Sequence, residues 1–202
     1  TNHTHISYPN SHTITLQNNE QTFYCALRIL EPHIINMKLT PTAPIELPTY
    51  TVTPFDTVLP YEGLSRYHTQ NFSLPDFTTK LDADTLTVQT ALLKVIFNTS
   101  TLHCDWYQLN TAKQWLPLFS DRKTQAYQHH IAATHPTCHY ISRSSEEQYF
   151  GLGEKTGGVD KHGQRMRMTN IYAMGYNAQS TDPLYKHIPF YITLHLDTKQ
   201  SY

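Results

Sequence analysis

The stretch His187-Ile-Pro-Phe-Tyr-Ile-Thr-Leu-His-Leu-Asp197 alternates without a break. Ile188, Phe190, Ile192, Leu194 and Leu196 fall on one face, and Pro189, Tyr191, Thr193, His195 and Asp197 on the other. A helix advances about 100° per residue and would scatter these positions around its girth, whereas a strand sends successive side chains to opposite faces. The segment is therefore a strand. Pro189 has no N–H to donate to a ladder, so it marks the strand's start or an edge.

The same pattern recurs upstream. Phe23, Cys25, Leu27 and Ile29 alternate with Tyr24, Ala26, Arg28 and Leu30, a strand buried on both sides or at a sheet corner. Leu86 and Val88 alternate with Thr85, Thr87 and Gln89, and the segment continues into ALLKVIF. Asn98-Thr-Ser-Thr101 reads as a turn, after which Leu102, Cys104 and Trp106 return on one face as a hairpin. From about 40 to 76 a proline appears every few residues, which excludes regular helix and central strand and predicts a long surface excursion with edge-strand pieces. No stretch beyond about two turns shows helical periodicity. Short strands separated by polar turns predict an all-β, antiparallel two-sheet β-sandwich, a single domain over residues 1–202.

Composition narrows the function. Lys+Arg 15 against Asp+Glu 16 leaves a net charge of -1, with no basic field for a phosphate backbone, so no nucleic-acid partner is expected. Apolar runs are too short to span a bilayer, so no membrane partner is expected either. Aromatic residues at 12% are too many for a disordered chain. Cys25, Cys104 and Cys138 form neither a disulfide framework nor a zinc ribbon and fit a reducing, cytoplasmic compartment. TNHTHISYPNSHTITLQ lacks the basic start and apolar core of a signal peptide, and without an initiating Met the N-terminus is expected to be incomplete. Asn2, Asn71 and Asn98 open glycosylation triplets of a kind that arises often by chance in an Asn- and Thr-rich chain.

Three feature sets could carry chemistry. The densest histidine tract holds His129, His130, His135, Cys138 and His139, whereas zinc needs three or four ligands converging at about 2.0–2.3 Å. Pro136 stiffens that tract, and in extended chain His139 points away from Cys138, so surface or hydrogen-bonded imidazoles are expected and no metal. Glu146, Glu147, Glu154, Asp160 and Asp182 crowd the C-terminal third, and glycoside chemistry uses a carboxyl pair about 5–9.5 Å apart. Spacing alone assigns none of them a role, and Glu146-Glu147 reads as a solvated turn. Gly151-Leu-Gly-Glu-Lys-Thr-Gly-Gly158 lacks P-loop spacing; Gly151 and Gly153 are expected to flank a turn leading into a strand, and Gly157-Gly158 to supply left-handed backbone. Tyrosines suit sugar, since their faces stack on C–H surfaces and their hydroxyls bond, though most tyrosines in β domains are half-buried spacers.

Specificity enters between Ser144 and Tyr191. Glu147-Gln-Tyr-Phe-Gly-Leu-Gly-Glu-Lys155, the Asp160-Lys-His-Gly-Gln-Arg165 turn with Arg167 and Asn170 behind it, and Thr181-Asp-Pro-Leu-Tyr-Lys-His-Ile-Pro-Phe-Tyr191 stand in order. This segment closely resembles the end of the N-terminal domain of glycoside hydrolase family 31, the α-glucosidase and α-xylosidase family. LDADTLTVQTALLKVIF is similar to the family's preceding hairpin, and residues 1–80 carry little signal.

The resemblance implies a galactose-mutarotase-like sandwich packed on a (β/α)₈ barrel that holds both catalytic Asp residues. A barrel needs about 250 residues, so it is expected C-terminal to residue 202, and this segment alone is expected to be inactive, with no catalytic residue, metal or cofactor. The implied partners are that barrel and an α-glucoside or α-xyloside oligosaccharide. Family members often carry Asn-x-Asp on a loop at the barrel mouth; here the triplet is Asn170-Ile171-Tyr172, so the implied substrate-binding residues are Asn170 and Tyr172. Tyr172 stacks on sugar, narrows the site, or packs on the barrel. Arg167, Tyr185 and Lys186 are implied to support the loop, with Pro189. An excised domain would expose an apolar patch around the Asn170 loop and the Tyr185 strand. The alternatives are a free-standing carbohydrate-binding module and, on fold analogy only, an aldose mutarotase.

Overall fold

Alternation of buried and exposed side chains organises most of the chain in the computed structural model, which describes residues 4–18, 24–40, 48–49, 63–65, 68–70, 72–128 and 138–202. Two compact units emerge, Thr1–Ser142 and Arg143–Tyr202.

In the first unit, β1 (Thr4–Asn10), β2 (Thr13–Asn18), β3 (Tyr24–Glu31) and β4 (Ile34–Thr40) form an antiparallel meander in sequence order. Cys25, Leu27 and Ile29 of β3 are fully buried beside Ile14 and Leu16 of β2, and Ala26 on the opposite face is also buried, as read from the sequence. Of the proline-rich stretch, the described residues show one short antiparallel pair, β5 (Pro48–Thr49) with β6 (Leu64–Ser65). Most of residues 40–67 and the triplets at Asn2 and Asn71 fall wholly or partly outside the described residues.

A second antiparallel sheet follows: β7 (Thr78–Asp82), β8 (Thr85–Gln89), β9 (Leu93–Asn98), β10 (Cys104–Leu109) and β11 (Trp115–Ser120), again in order. Leu86, Val88, Leu93, Val95, Phe97, Cys104 and Trp106 point inward. The two inner faces meet where Cys104 Sγ lies 3.9 Å from Met37 Sδ of β4. This is a two-sheet sandwich, all-β and helix-free among the described residues.

The turn at 98–101 forms because Asn98 Oδ1 accepts from the N–H groups of Ser100 (3.0 Å) and Thr101 (2.8 Å). Leu102, expected on the returning strand, instead closes that turn at φ 65. The run from Thr85 to Phe97, expected to continue as one segment, breaks at Thr90. Its Oγ1 accepts from Leu93 N–H at 2.9 Å and donates to the Pro32 carbonyl at 2.6 Å. A threonine that satisfies the backbone through its own hydroxyl makes a turn that no glycine or proline announces.

Beyond β11, β12 (Tyr127–Gln128) pairs with β13 (Cys138–His139). Asp121, almost wholly buried, accepts from Cys104 N–H (3.0 Å), Tyr127 Oη (2.7 Å) and His139 Nε2 (2.7 Å). His139 is thus hydrogen-bonded and stacked on Tyr127, with ring centroids 4.5 Å apart. His129, His130 and His135 lie outside the described residues, among which no cluster of metal-ligating side chains occurs.

The second unit consists of β14 (Glu147–Gly153), β15 (His187–His195) and β16 (Gln200–Ser201), antiparallel in that order. A long irregular segment, 154–186, joins β14 to β15.

Candidate functional site

The site grows from the β14–β15 pair. Their register breaks between Gly151↔Tyr191 and Gly153↔His187. At that break Gly151 has φ +118 and Gly153 φ +79, and a Cβ on either would stand 2.7 Å from β15 backbone. Both glycines therefore lie inside the strand, where two backbones approach closely, and not around a turn as the spacing suggests. Gly157 takes the expected left-handed geometry and Gly158 does not. β15 is the strand read from the sequence, ending at His195, but Ile188, Phe190 (64% exposed) and Ile192 lie open to solvent, and Thr193 is the residue fully buried. Pro189 falls in the register break, so its missing donor costs no ladder bond.

Glu147 is the hidden anchor. The sequence suggests a solvated turn, yet Glu147 is only 5% exposed while Glu146 is open. Its carboxylate accepts from Tyr149 Oη (2.5 Å), Tyr202 Oη (3.0 Å) and Ser144 N–H (3.1 Å). Burial first, then the bond to Glu147, pushes both phenols above their ordinary range. Glu147 and Tyr149 sit two apart on one strand face, a signal present in Glu-Gln-Tyr. The third partner, 55 residues away, leaves no local trace.

The other carboxylates also serve the backbone. Asp160 Oδ1 accepts from the N–H groups of Tyr149 (3.0 Å) and His162 (2.9 Å), in that order the causes that hold its carboxyl below the ordinary aspartate value. Asp182 accepts from Arg167 N–H at 2.6 Å and pairs with Lys155 at 3.0 Å. Burial works to raise the Asp182 carboxyl, but the Arg167 N–H and the Lys155 ammonium outweigh it and leave it lowered. Lys155, its side chain 1% exposed, also donates to the Arg167 carbonyl at 2.5 Å. Buried Lys161 gives its ammonium to the carbonyls of Thr156 (2.8 Å) and Gly158 (2.5 Å). These lysines are the residues that sequence reading passed over. Both belong to the motifs quoted above, where their charge reads as ordinary surface until the loop closes on it.

The loop carrying Asn170 is pinned at three points. Asn170 Oδ1 accepts from His187 N–H at 2.8 Å, Ile171 N–H donates to the Leu184 carbonyl at 3.1 Å, and Tyr185 Oη donates to the Ala173 carbonyl at 3.1 Å. Asn170 and Tyr185 are thereby brought together with the head of β15. Arg167 acts through its backbone and lies in irregular chain, not on a strand. Lys186 likewise acts through its backbone, its N–H reaching Glu154 Oε2 at 3.1 Å. Tyr172 is 80% exposed and meets the edge of Tyr185 at 6.0 Å, while Tyr176 meets the same ring at 6.3 Å. Met174, 78% exposed, stands between them in sequence. A loop held so firmly beneath while showing rings and a thioether above is built for contact, not for acid–base chemistry. Nearby in this unit is a cavity of about 310 Å³ lined by Tyr149, Tyr191, Met166 and Met168, with Arg143 and Gln164 at its polar side.

Comparison with known proteins accounts for the shared architecture. A model of the glycosyl hydrolase 31 N-terminal galactose mutarotase-like domain matches residues 24–202. Over 57 residues the chain is 35% identical to alpha-glucosidase 2 of Bacillus thermoamyloliquefaciens, an alignment covering 28% of this chain and 7% of that protein. A family 31 dextranase of Flavobacterium johnsoniae, solved with glucose, superposes at a TM-score of 0.71 with 18% identity, over 95% of this chain and 21% of that one. The cycloalternan-forming enzyme of Listeria monocytogenes, solved with a pentasaccharide substrate, superposes at 0.58 with 16% identity, over 85% of this chain and 14% of that one. At these identities the two structures share the fold, and this chain spans about a fifth or less of each relative's length. With 24–202 matched by the domain model, the chain belongs to the glycosyl hydrolase 31 N-terminal galactose mutarotase-like domain family.

Proposed function

We propose that this chain is the N-terminal sandwich of a retaining α-glycosidase acting on α-glucosides or α-xylosides, and that a (β/α)₈ barrel supplying the catalytic carboxylates follows it in the complete polypeptide. Its own part is to brace that barrel and to offer the 170–176 loop to bound sugar. Asn170 fixes the loop to β15 and Tyr172 turns its ring to the substrate, with Arg167, Tyr185 and Lys186 holding the support. The observation carrying this reading is the contrast at Tyr172: a ring 80% exposed on backbone pinned at three points. Firmly anchored, solvent-facing aromatic rings are what stacking on a pyranose requires. The three free cysteines support a reducing, cytoplasmic setting.

The test is hydrolysis of 4-nitrophenyl α-glucoside and α-xyloside by the complete polypeptide, with and without Tyr172→Ala. We expect turnover of one of them and a loss of about tenfold in kcat/KM for the variant, carried mostly by KM, with Tm unchanged. A complete polypeptide that turns over neither substrate overturns the glycosidase. Unchanged kinetics in the variant overturns the role of Tyr172.

A further inference from the structure

The first unit holds a cavity that no residue discussed above accounts for. Along β3, Cys25, Leu27 and Ile29 face the core, which leaves Tyr24, Ala26 and Arg28 on the outer side of the sheet. There a cavity of about 350 Å³ opens. One wall is segment 68–74, tied to the end of β3 by Leu74 N–H to the Leu30 carbonyl (3.1 Å) and by Ser73 N–H to Glu31 Oε1 (2.7 Å). The cavity is thus built from hydrogen-bonded backbone.

Its chemistry is mixed. Ala26, Leu30 and Leu74 give apolar surface and Tyr24 a ring. His12, at the β1–β2 turn, keeps Nδ1 buried without a partner among the described residues. Asn10 holds the His12 backbone N–H with Oδ1 at 2.9 Å, which leaves its amide NH₂ to the cavity's edge, where the hydroxyls of Thr13 and Thr69 also lie. Arg28 is steadied by Asn36 Oδ1, at 3.3 Å from Nε and 2.9 Å from Nη2. No carboxylate lines the space.

A buried imidazole nitrogen left unpaired is costly unless something fills the space and bonds to it. An alkyl or aromatic ligand would leave it unpaired. An inorganic anion would ignore the apolar wall and find a single guanidinium already engaged. A hexopyranose matches both halves, with C–H faces for Tyr24 and the leucines and hydroxyls that donate or accept for His12, Asn10 and the threonines. The volume falls within the range of small-molecule sites, about 300–1,000 Å³. We propose that this cavity binds a neutral hexopyranose, with His12 Nδ1 as the central hydrogen-bond partner. It stands on the geometry of the first unit alone, whichever way the hydrolysis assay falls.

The experiment is a titration of this chain, labelled with ¹⁵N-histidine, with methyl α-D-glucopyranoside and separately with inorganic phosphate. The His12 ring signals, assigned by their loss in His12→Phe, should shift saturably with sugar at a Kd of about 1 mM. Ala26→Leu, which fills the cavity, should abolish the shift while the other histidine signals stay in place. Thr13→Val gives a milder variant, with a severalfold weaker Kd, should the leucine disturb folding. No saturable shift at up to about 50 mM sugar, a shift from phosphate instead, or sugar shifts that survive in both cavity variants would overturn the proposal.

Discussion

Replacing Glu147 with alanine would strand the hydroxyls of Tyr149 and Tyr202 and the Ser144 N–H around a position 5% exposed. Groups left unpaired after such a deletion cost about 1–3 kcal/mol, and that is the loss in unfolding free energy we expect for Glu147→Ala by urea titration. An unchanged midpoint would mean the phenols find water instead. Asp160 and Asp182 make a different demand, on pH. Both carboxyls titrate below the ordinary aspartate value of 3.8. A depressed carboxyl contributes stability that is fully present above its unfolded pKa and is lost as pH falls through its folded one. The stability difference between wild type and Asp160→Asn should therefore be constant above about pH 5 and shrink below about pH 4. Thermal melts of the two proteins that stay parallel into strong acid would show that Asp160 contributes nothing through its charge.

At the scale of elements the glycine bulge is the sharpest test. Gly151→Ala must place a Cβ 2.7 Å from the Phe190 carbonyl oxygen at φ +118, in backbone that costs a non-glycine residue about 1–3 kcal/mol. We expect at least that loss, measured by denaturant unfolding, and near-neutral behaviour would mean that β15 shifts to make room. The strands themselves were legible wherever burial alternates. Cys25 to Ile29, Leu86 with Val88, and His187 to His195 could be read from period two alone, and Asn98 announced its turn. Thr90 did not, because its turn depends on the Pro32 carbonyl 58 residues away. Nor could alternation tell which face of β15 is covered: Ile188, Phe190 and Ile192 alternate perfectly and lie open. Periodicity reports that two faces differ, and only tertiary structure decides what meets each.

Considered whole, the chain joins a sandwich whose inner faces are sealed to a second unit whose outer residues are not. The family was legible from three motifs in order, since close backbone approach at Gly151 and Gly153 and the Lys155–Asp182 pair tolerate few substitutes. The jobs of individual motif residues were less legible, because Arg167 and Lys186 act through backbone atoms that every residue possesses. The open face of β15 predicts strong fluorescence from an apolar dye on this chain alone. Ile188→Thr with Ile192→Thr should lower that signal while stability changes by about 0.5 kcal/mol or less per site, as for ordinary surface positions. Weak dye binding by the parent chain, or a large destabilisation in the double variant, would mean the face is covered. The edge of the same strand tells a complementary story. His187 gives its N–H to Asn170, Pro189 has none, and Thr193 bonds to the Tyr202 carbonyl at 2.8 Å. A growing cross-β fibril recruits chains through an unbroken row of free edge donors, and this edge offers no such row. Concentrated solutions of the chain should therefore cloud through reversible, amorphous association of apolar faces and leave thioflavin dark.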